Sequence, residues 1–348
     1  MPPSAATRRA GFTLLELLVV ITILSLLSVI VLPNIAGSVN SRRYRDVAKN
    51  VSAFIARSQS RAIGARSPRG VMLQPLSGNT AAAIDVFLAD TPDAYAGETT
   101  DSVAALDFTG FDYATGVSVP VTFDTATRDR LLTPKFCMAG DTIQFGGTGA
   151  KYKLLITDPP TLPFRVGMWF EDNQNPRNTA WPQPPATGGG LPFRIWRQPT
   201  RGTGGGLQIA KGVCIDLAAS TMGTVPFSAF MTTNVADNTI SIMFDATGKP
   251  SEIVHSGGLR TSVSAPIFLL LGDADLAGNA YDPAASGDTG TPPDDRGGTN
   301  WQYGDCIWLC IDNNSGVVKS GPVAGRQTSL LASQRFVRLT IGYGTAEK

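Results

Sequence analysis

Histidine is nearly absent from this 348-residue chain, His255 being the only one. A histidine-rich metal centre is thereby excluded, and a serine–histidine–carboxylate triad would rest on that single residue. No G-x-S-x-G elbow surrounds a serine. The run Gly188-Gly189-Gly190 lacks the Lys-Ser/Thr pair that makes a phosphate loop. Four cysteines, Cys137, Cys214, Cys306 and Cys310, contain no C-x-x-C pair, which argues against a four-thiolate zinc site. Charged residues make up only 16% of the chain and sum to +1, so the balance gives no pointer to nucleic acid. Glycine and proline, by contrast, number 37 and 24 and interrupt the chain so often that long helices are expected only near the N terminus.

What the chain does have is one long apolar run. From Phe12 to Leu32 the only ionisable residue is Glu16. As a helix at about 1.5 Å per residue the run is roughly 31 Å long, the hydrocarbon thickness of a bilayer, and it is expected to span one. A carboxylate at this place costs roughly 2.5 kcal/mol or more unless it finds a partner or snorkels to water. The Gly11-Phe12 bond lies at the junction between the run and a short leader carrying Arg8 and Arg9. Cleavage there would put an α-amino group on Phe12, one helical turn from Glu16, and each charge would relieve the burial of the other. An ordinary secretory signal is a poorer description, because the run exceeds an h-region of about 7–15 residues and no convincing A-x-A site follows.

Gly11-Phe12-Thr13-Leu14-Leu15-Glu16, with its basic leader and apolar run, resembles the N-terminal signal of type IV pilins and type II secretion pseudopilins. The resemblance implies cleavage after Gly11 by a prepilin peptidase, methylation of the new amine on Phe12, and packing of subunits through Phe12 and Glu16. Ser52 to Arg66 followed by Val71-Met72-Leu73, then Lys211 to Leu217, Ile242 to Gly248 and Asp312 to Val318, are similar to the stem and later strands of H-type minor pseudopilins. The head is considerably longer than such a protein needs.

The expected fold is α+β and pilin-like. Residues 1–11 read as a cleaved cytoplasmic leader, 12–66 as a transmembrane and stem helix, and 67–348 as a β-rich periplasmic head. Pro33 should kink the helix without ending it, since Val39, Val47, Val51, Phe54, Ile55 and Ala62 continue at helical spacing. Eight Lys or Arg between Arg42 and Arg69 face the single acid Asp46, a basic stalk suited to anionic lipid or to charge matching between neighbours. Pro68-Arg69-Gly70 stops the helix. Ten short apolar or alternating runs follow, at 71–73, 83–87, 116–123, 152–156, 164–170, 212–217, 239–244, 266–271, 306–312 and 336–343. Gly, Pro, Asn or Asp clusters separate them, which predicts an antiparallel meander or sandwich. Asp172 to Gly206 and Asp273 to Asn300 read as loops inserted in that head, with Trp181, Trp196 and Trp301 in or beside them to pack on it.

Two smaller features remain. Asp273, Asp275 and Asp282 could offer calcium hard oxygen ligands, but Ala277 stands where the third ligand of an EF-hand belongs and no glutamate follows at the twelfth position. A solvated acidic loop is the better description. Cys306 and Cys310, if on one strand, face the same side about 13 Å apart and cannot bridge each other. Either can pair with Cys137 or Cys214, or all four can stand as buried thiols, and both readings stay open.

The whole points to a filament subunit, a minor pseudopilin or pilin, with no enzymatic role and no cofactor. Its expected partners are prepilin peptidase, other pilins or pseudopilins, an inner-membrane assembly platform with its ATPase, and the lipid bilayer; nucleic acid is not expected. It would cross the inner membrane once, N terminus cytoplasmic and head periplasmic, before entering a periplasmic or extracellular filament. A membrane-anchored adhesin or substrate-binding module is the alternative, and an exported hydrolase using His255 trails both.

Overall fold

The computed structural model describes residues 14–108, 118–138, 140–147, 150–156, 160–168, 189–230, 239–255, 260–281, 298–325 and 327–342, with the side chains of 28–40, 168, 229 and 230 left aside. Helix α1 (Leu14–Ala65) passes through position 33 without a break in its helical assignment. Arg66, at φ 50°, turns the chain, and Pro68 removes the next backbone donor. Strand β1 (Arg69–Leu76) then runs back along the helix, and β2 (Asn79–Asp90) pairs with it antiparallel through a tight turn at Ser77-Gly78. Val71 and Leu73 face α1 and Met72 faces away, the two-residue period of a pleated strand.

The chain then leaves this sheet and builds a second body. Strands β3 (Ala104–Leu106) and β4 (Ser118–Phe123), helix α2 (Thr125–Leu131), and strands β5 (Thr142–Phe145), β6 (Lys151–Leu155), β7 (Phe164–Met168) and β8 (Phe193–Trp196) follow. They form an antiparallel sheet ordered β3-β4-β7-β6-β5-β8. Reciprocal backbone bonds join its two ends: Ala104 N–H donates to Leu191 O at 2.9 Å, and Leu191 N–H to Ala104 O at 2.8 Å. The sheet is therefore a closed six-stranded barrel. Val119, Val121, Ile143, Leu154, Phe164, Val166, Phe193 and Ile195 fill it, and Leu131 of α2 packs among them. Asp124 caps α2 by accepting from Thr127 N–H at 2.9 Å.

Strand β9 (Thr200–Gln208) returns to the first sheet, pairing with β2 so that Thr200 lies opposite Asp90. Strands β10 (Val213–Met222), β11 (Val225–Pro226), β12 (Ile240–Phe244), β13 (Pro250–His255), β14 (Arg260–Ser262), β15 (Ile267–Asp273), β16 (Ile307–Ile311) and β17 (Val318–Pro322) complete that sheet, and helix α3 (Leu330–Thr340) follows. Its main path is β14-β13-β12-β1-β2-β10-β15-β16-β17. One face packs on α1 through Val86, Ile215, Ile242, Phe244, Leu269 and Leu309; the other carries Phe268, Trp308, Cys310 and Val337 of α3.

Two expectations are corrected. Residues 336–343 were expected as a strand, but α3 covers most of them: Ser329 caps its start, and buried Ser333, Gln334 and Val337 recur at helical spacing. Gly321 lets the helix close on β17, since a Cβ there would lie 2.6 Å from Val337 Cγ2. Within Asp172 to Gly206, expected as loop, residues 193–196 and 200–208 are strands. In β9 the glycines that suggested a loop serve a close approach: a Cβ on Gly202, Gly204 or Gly206 would fall 2.7, 2.4 or 2.5 Å from Asp90, Leu88 or Phe87 of β2. Residues 169–188 and 282–297, the remainder of the two expected loops, lie outside the described residues.

Candidate assembly stem

Helix α1 has two halves with opposite surroundings. Every described side chain from Leu14 to Leu27 is exposed, Leu14 at 82% and Leu27 still at 51%. The two hydroxyls of this half are satisfied inside the helix, Thr22 Oγ1 donating to Leu18 O and Ser25 Oγ to Ile21 O, both at 2.8 Å. Such a surface offers apolar surroundings no unpaired polar group on these residues. Glu16 stands in the first turn as its only acid.

The second half is clamped to the sheet. Tyr44, Val47, Ala48, Val51, Phe54, Ile55 and Ala62 are buried against it, at the helical spacing the sequence showed. Polar contacts fix the helix along its length. Near the apolar half, Ser41 Oγ donates to Asp305 Oδ1 at 2.5 Å and Arg43 to the Lys211 carbonyl. Farther on, Gln59 donates to Gly316 O at 2.6 Å and Arg57 to Gly204 O at 3.3 Å. At the far end Arg61 and Arg69 both pair with Asp90, at 3.3 and 2.9 Å. Since Asp90 ends β2 and faces Thr200 of β9, the barrel leaves the sheet at the end most distant from the exposed apolar half. Arg42, Arg45 and Lys49 keep their side chains in solvent.

The other sequence-predicted residues do not converge on this stem. Gly11 and Phe12 lie outside the described residues, as does the side chain of Pro33. The expected span Phe12–Leu32 runs past residue 27 into side chains likewise outside, and over the described residues no helix is long and apolar enough to cross a membrane. Asp273 Oδ1 accepts from Asp275 N–H at 2.9 Å in a local turn, and Asp282 lies outside the described residues. Among the described residues no group of three His, Cys, Asp or Glu is arranged to hold a metal.

Cys137, Cys214, Cys306 and Cys310 are buried thiols. Cys214 lies opposite Gly272, and the β15–β16 register continues to place Gly272 opposite Cys306. The two cysteines are thus two strands apart, roughly 10 Å between Cα atoms, beyond the reach of a bridge. His255 is buried in β13, and burial lowers its pKa to about 4.

A polar cluster between these cysteines escaped the sequence reading. Asn300 is fully buried over Gly272, where a Cβ would meet its amide at 2.4 Å. Its Nδ2 donates to Asp216 Oδ2 at 2.9 Å and to Asp273 O at 3.1 Å, while its Oδ1 accepts from Asp273 N–H at 2.8 Å. Asp216 Oδ1 accepts from Ala218 and Ala219 N–H, holding the bulge where the β10–β15 register shifts. Burial raises the pKa of Asp216, against the pull of those donors. The available signal was a carboxylate inside the apolar run Val213 to Leu217. Trp301, stacked on Tyr281 with centroids 5.6 Å apart, closes the same region.

Residues 6–32 match the family model for the prokaryotic N-terminal methylation motif. No curated protein and no solved structure matches the chain. With this motif taking in the first half of a helix that is apolar and exposed there and clamped to a β-rich body in its second half, the chain carries the N-terminal signature of the type IV pilin and pseudopilin family.

Proposed function

We propose that the protein is a structural subunit, a minor pseudopilin or pilin, of a type II secretion pseudopilus or type IV pilus-like filament. Prepilin peptidase cuts after Gly11 and methylates the amine of Phe12. The apolar half of α1 holds the subunit in the inner membrane with the head in the periplasm, until the assembly platform and its ATPase move it into the filament. There the amine of Phe12 and the carboxylate of Glu16 pair within or between subunits, which removes two unpaired charges from an apolar core. No turnover and no cofactor belong to this role. The observation that carries the reading is the division of α1 into an exposed apolar half that lies within the matched motif and a half bolted to the head.

The test is processing and incorporation. Replacing Gly11 with a bulkier residue should leave the precursor at full length, and Glu16→Ala should be processed and folded but depleted from purified filaments. Normal cleavage of the Gly11 variant would overturn the proposal. The barrel at the distal end favours a second reading, a membrane-anchored binding module. Ligand capture by the head together with no assembly phenotype for Glu16→Ala would select it.

A further inference from the structure

The barrel carries a surface that packing through α1 leaves unused. Along β6 and β8 buried residues of the barrel core alternate with outward ones, and in β5 and β7 Gln144 and Arg165 point outward between buried neighbours. The register sets Arg194 beside Gln144 and Gln144 beside Lys151. Lys153 is the next outward residue of β6, and Arg165 of β7 lies opposite Leu155, the one after that. With strands about 4.8 Å apart and same-face residues about 6.6 Å apart, the four cations form one diagonal roughly 20 Å long, with neighbours about 7–10 Å apart. Among the described residues no carboxylate forms an ion pair with any of them. Two are held in place: Arg165 donates to Ser118 Oγ at 2.9 Å and Ser118 O at 3.1 Å, and the Lys151 ammonium sits 4.8 Å over the Trp196 ring. Four like charges on one face repel each other, and among the described contacts no negative charge offsets that repulsion. An anionic ligand would.

We propose that this barrel face binds an anionic polysaccharide. The spacing of the cations suits a chain bearing a carboxylate or sulfate on every sugar or every second sugar, whereas duplex DNA presents a charge about every 1.7 Å. The barrel face is convex, so a flexible chain can follow it while a rigid duplex touches it only locally. Single-stranded nucleic acid gains much of its affinity from bases stacked on open aromatic rings, and Trp196 is already covered by Lys151. The proposal is independent of filament assembly, because no residue of α1 takes part.

The experiment uses the full chain in detergent micelles and polygalacturonate as probe, with neutral dextran, duplex DNA and single-stranded DNA alongside. Saturable binding to polygalacturonate is expected at 50 mM salt, weakening at 200 mM as displaced counterions return. Lys151→Glu with Arg194→Glu should weaken it about tenfold or more and cut the log–log salt slope by roughly half, since two of four cations are lost. Lys211→Glu with Lys249→Glu, an equal charge change at exposed sites away from the barrel, should leave it unaltered. Absent binding at 50 mM salt, equal binding to dextran, tighter binding to either DNA, or an equal loss in the control pair would each overturn the proposal.

Discussion

Asn300→Ala is expected to be among the most damaging single substitutions in the head, through loss of hydrogen bonds at a buried site. The side chain is fully buried, and its amide serves four groups: the Asp216 carboxylate, the carbonyl and N–H of Asp273, and, weakly, the Cys306 thiol, which donates to Oδ1 at 3.9 Å. Truncation leaves each without this partner, at about 1–3 kcal/mol per buried group and more for the charged one. A total loss of about 3–5 kcal/mol is expected, a large share of the 5–15 kcal/mol typical of a domain. The loss should depend on pH. Burial already raises the Asp216 pKa, so folding favours its protonated form, and its contribution is most favourable below about pH 4 and declines as pH rises through the folded value. Removing Asn300 takes away a donor that lowers that pKa. The difference between wild type and variant should therefore widen from pH 4 to pH 7. Urea denaturation followed by tryptophan fluorescence reads both effects, because Trp301 and Trp308 lie in the neighbouring core. A loss below about 1 kcal/mol at pH 7, or one that shrinks as pH rises, would refute the reasoning.

Gly204→Val should push β9 off Leu88 and cost about 1–3 kcal/mol by overpacking, seen as a lower urea midpoint, whereas Gly205→Val meets no neighbour and suffers only from its positive φ. His255 has a folded pKa of about 4 against 6.5 when unfolded, so the unfolded chain binds the proton first and stability falls as pH drops from about 6.5 towards 4. Comparing His255→Gln with wild type across that range should show a relative stabilisation of the variant of about 3 kcal/mol at the acid end, read from paired urea curves. Glu16→Ala should leave these curves unmoved, because its helix half makes no part of the head core, while reducing filament incorporation. The Lys151→Glu, Arg194→Glu pair should likewise fold normally and lose only polysaccharide binding.

Much of the stem was legible because its signals are local. Helical spacing from Val47 to Ala62, the arginines on the complementary face and the Pro68 stop all act within a few residues of one another. Most strands were legible for the same reason, as short apolar runs between turn residues. The final helix was not, since FVRLTIGY alternates well enough for a strand and only burial of Ser333, Gln334 and Val337 against β17 decides for a helix. Glycine in β9 misled in the opposite direction: read locally it means freedom, yet here it permits contact with side chains of a strand more than a hundred residues earlier.

By itself, then, the N-terminal sequence determined the methylation motif, the apolar run with its single carboxylate and the amphipathic continuation, because each is a property of consecutive residues. Only the tertiary structure decided that residues between Asp90 and Thr200 close into a barrel at the far end of the head, that Cys214 and Cys306 are held a strand too far apart to bridge, and that four cations from three strands share one face. These depend on strand order and register, which are set by nonlocal pairing and core packing.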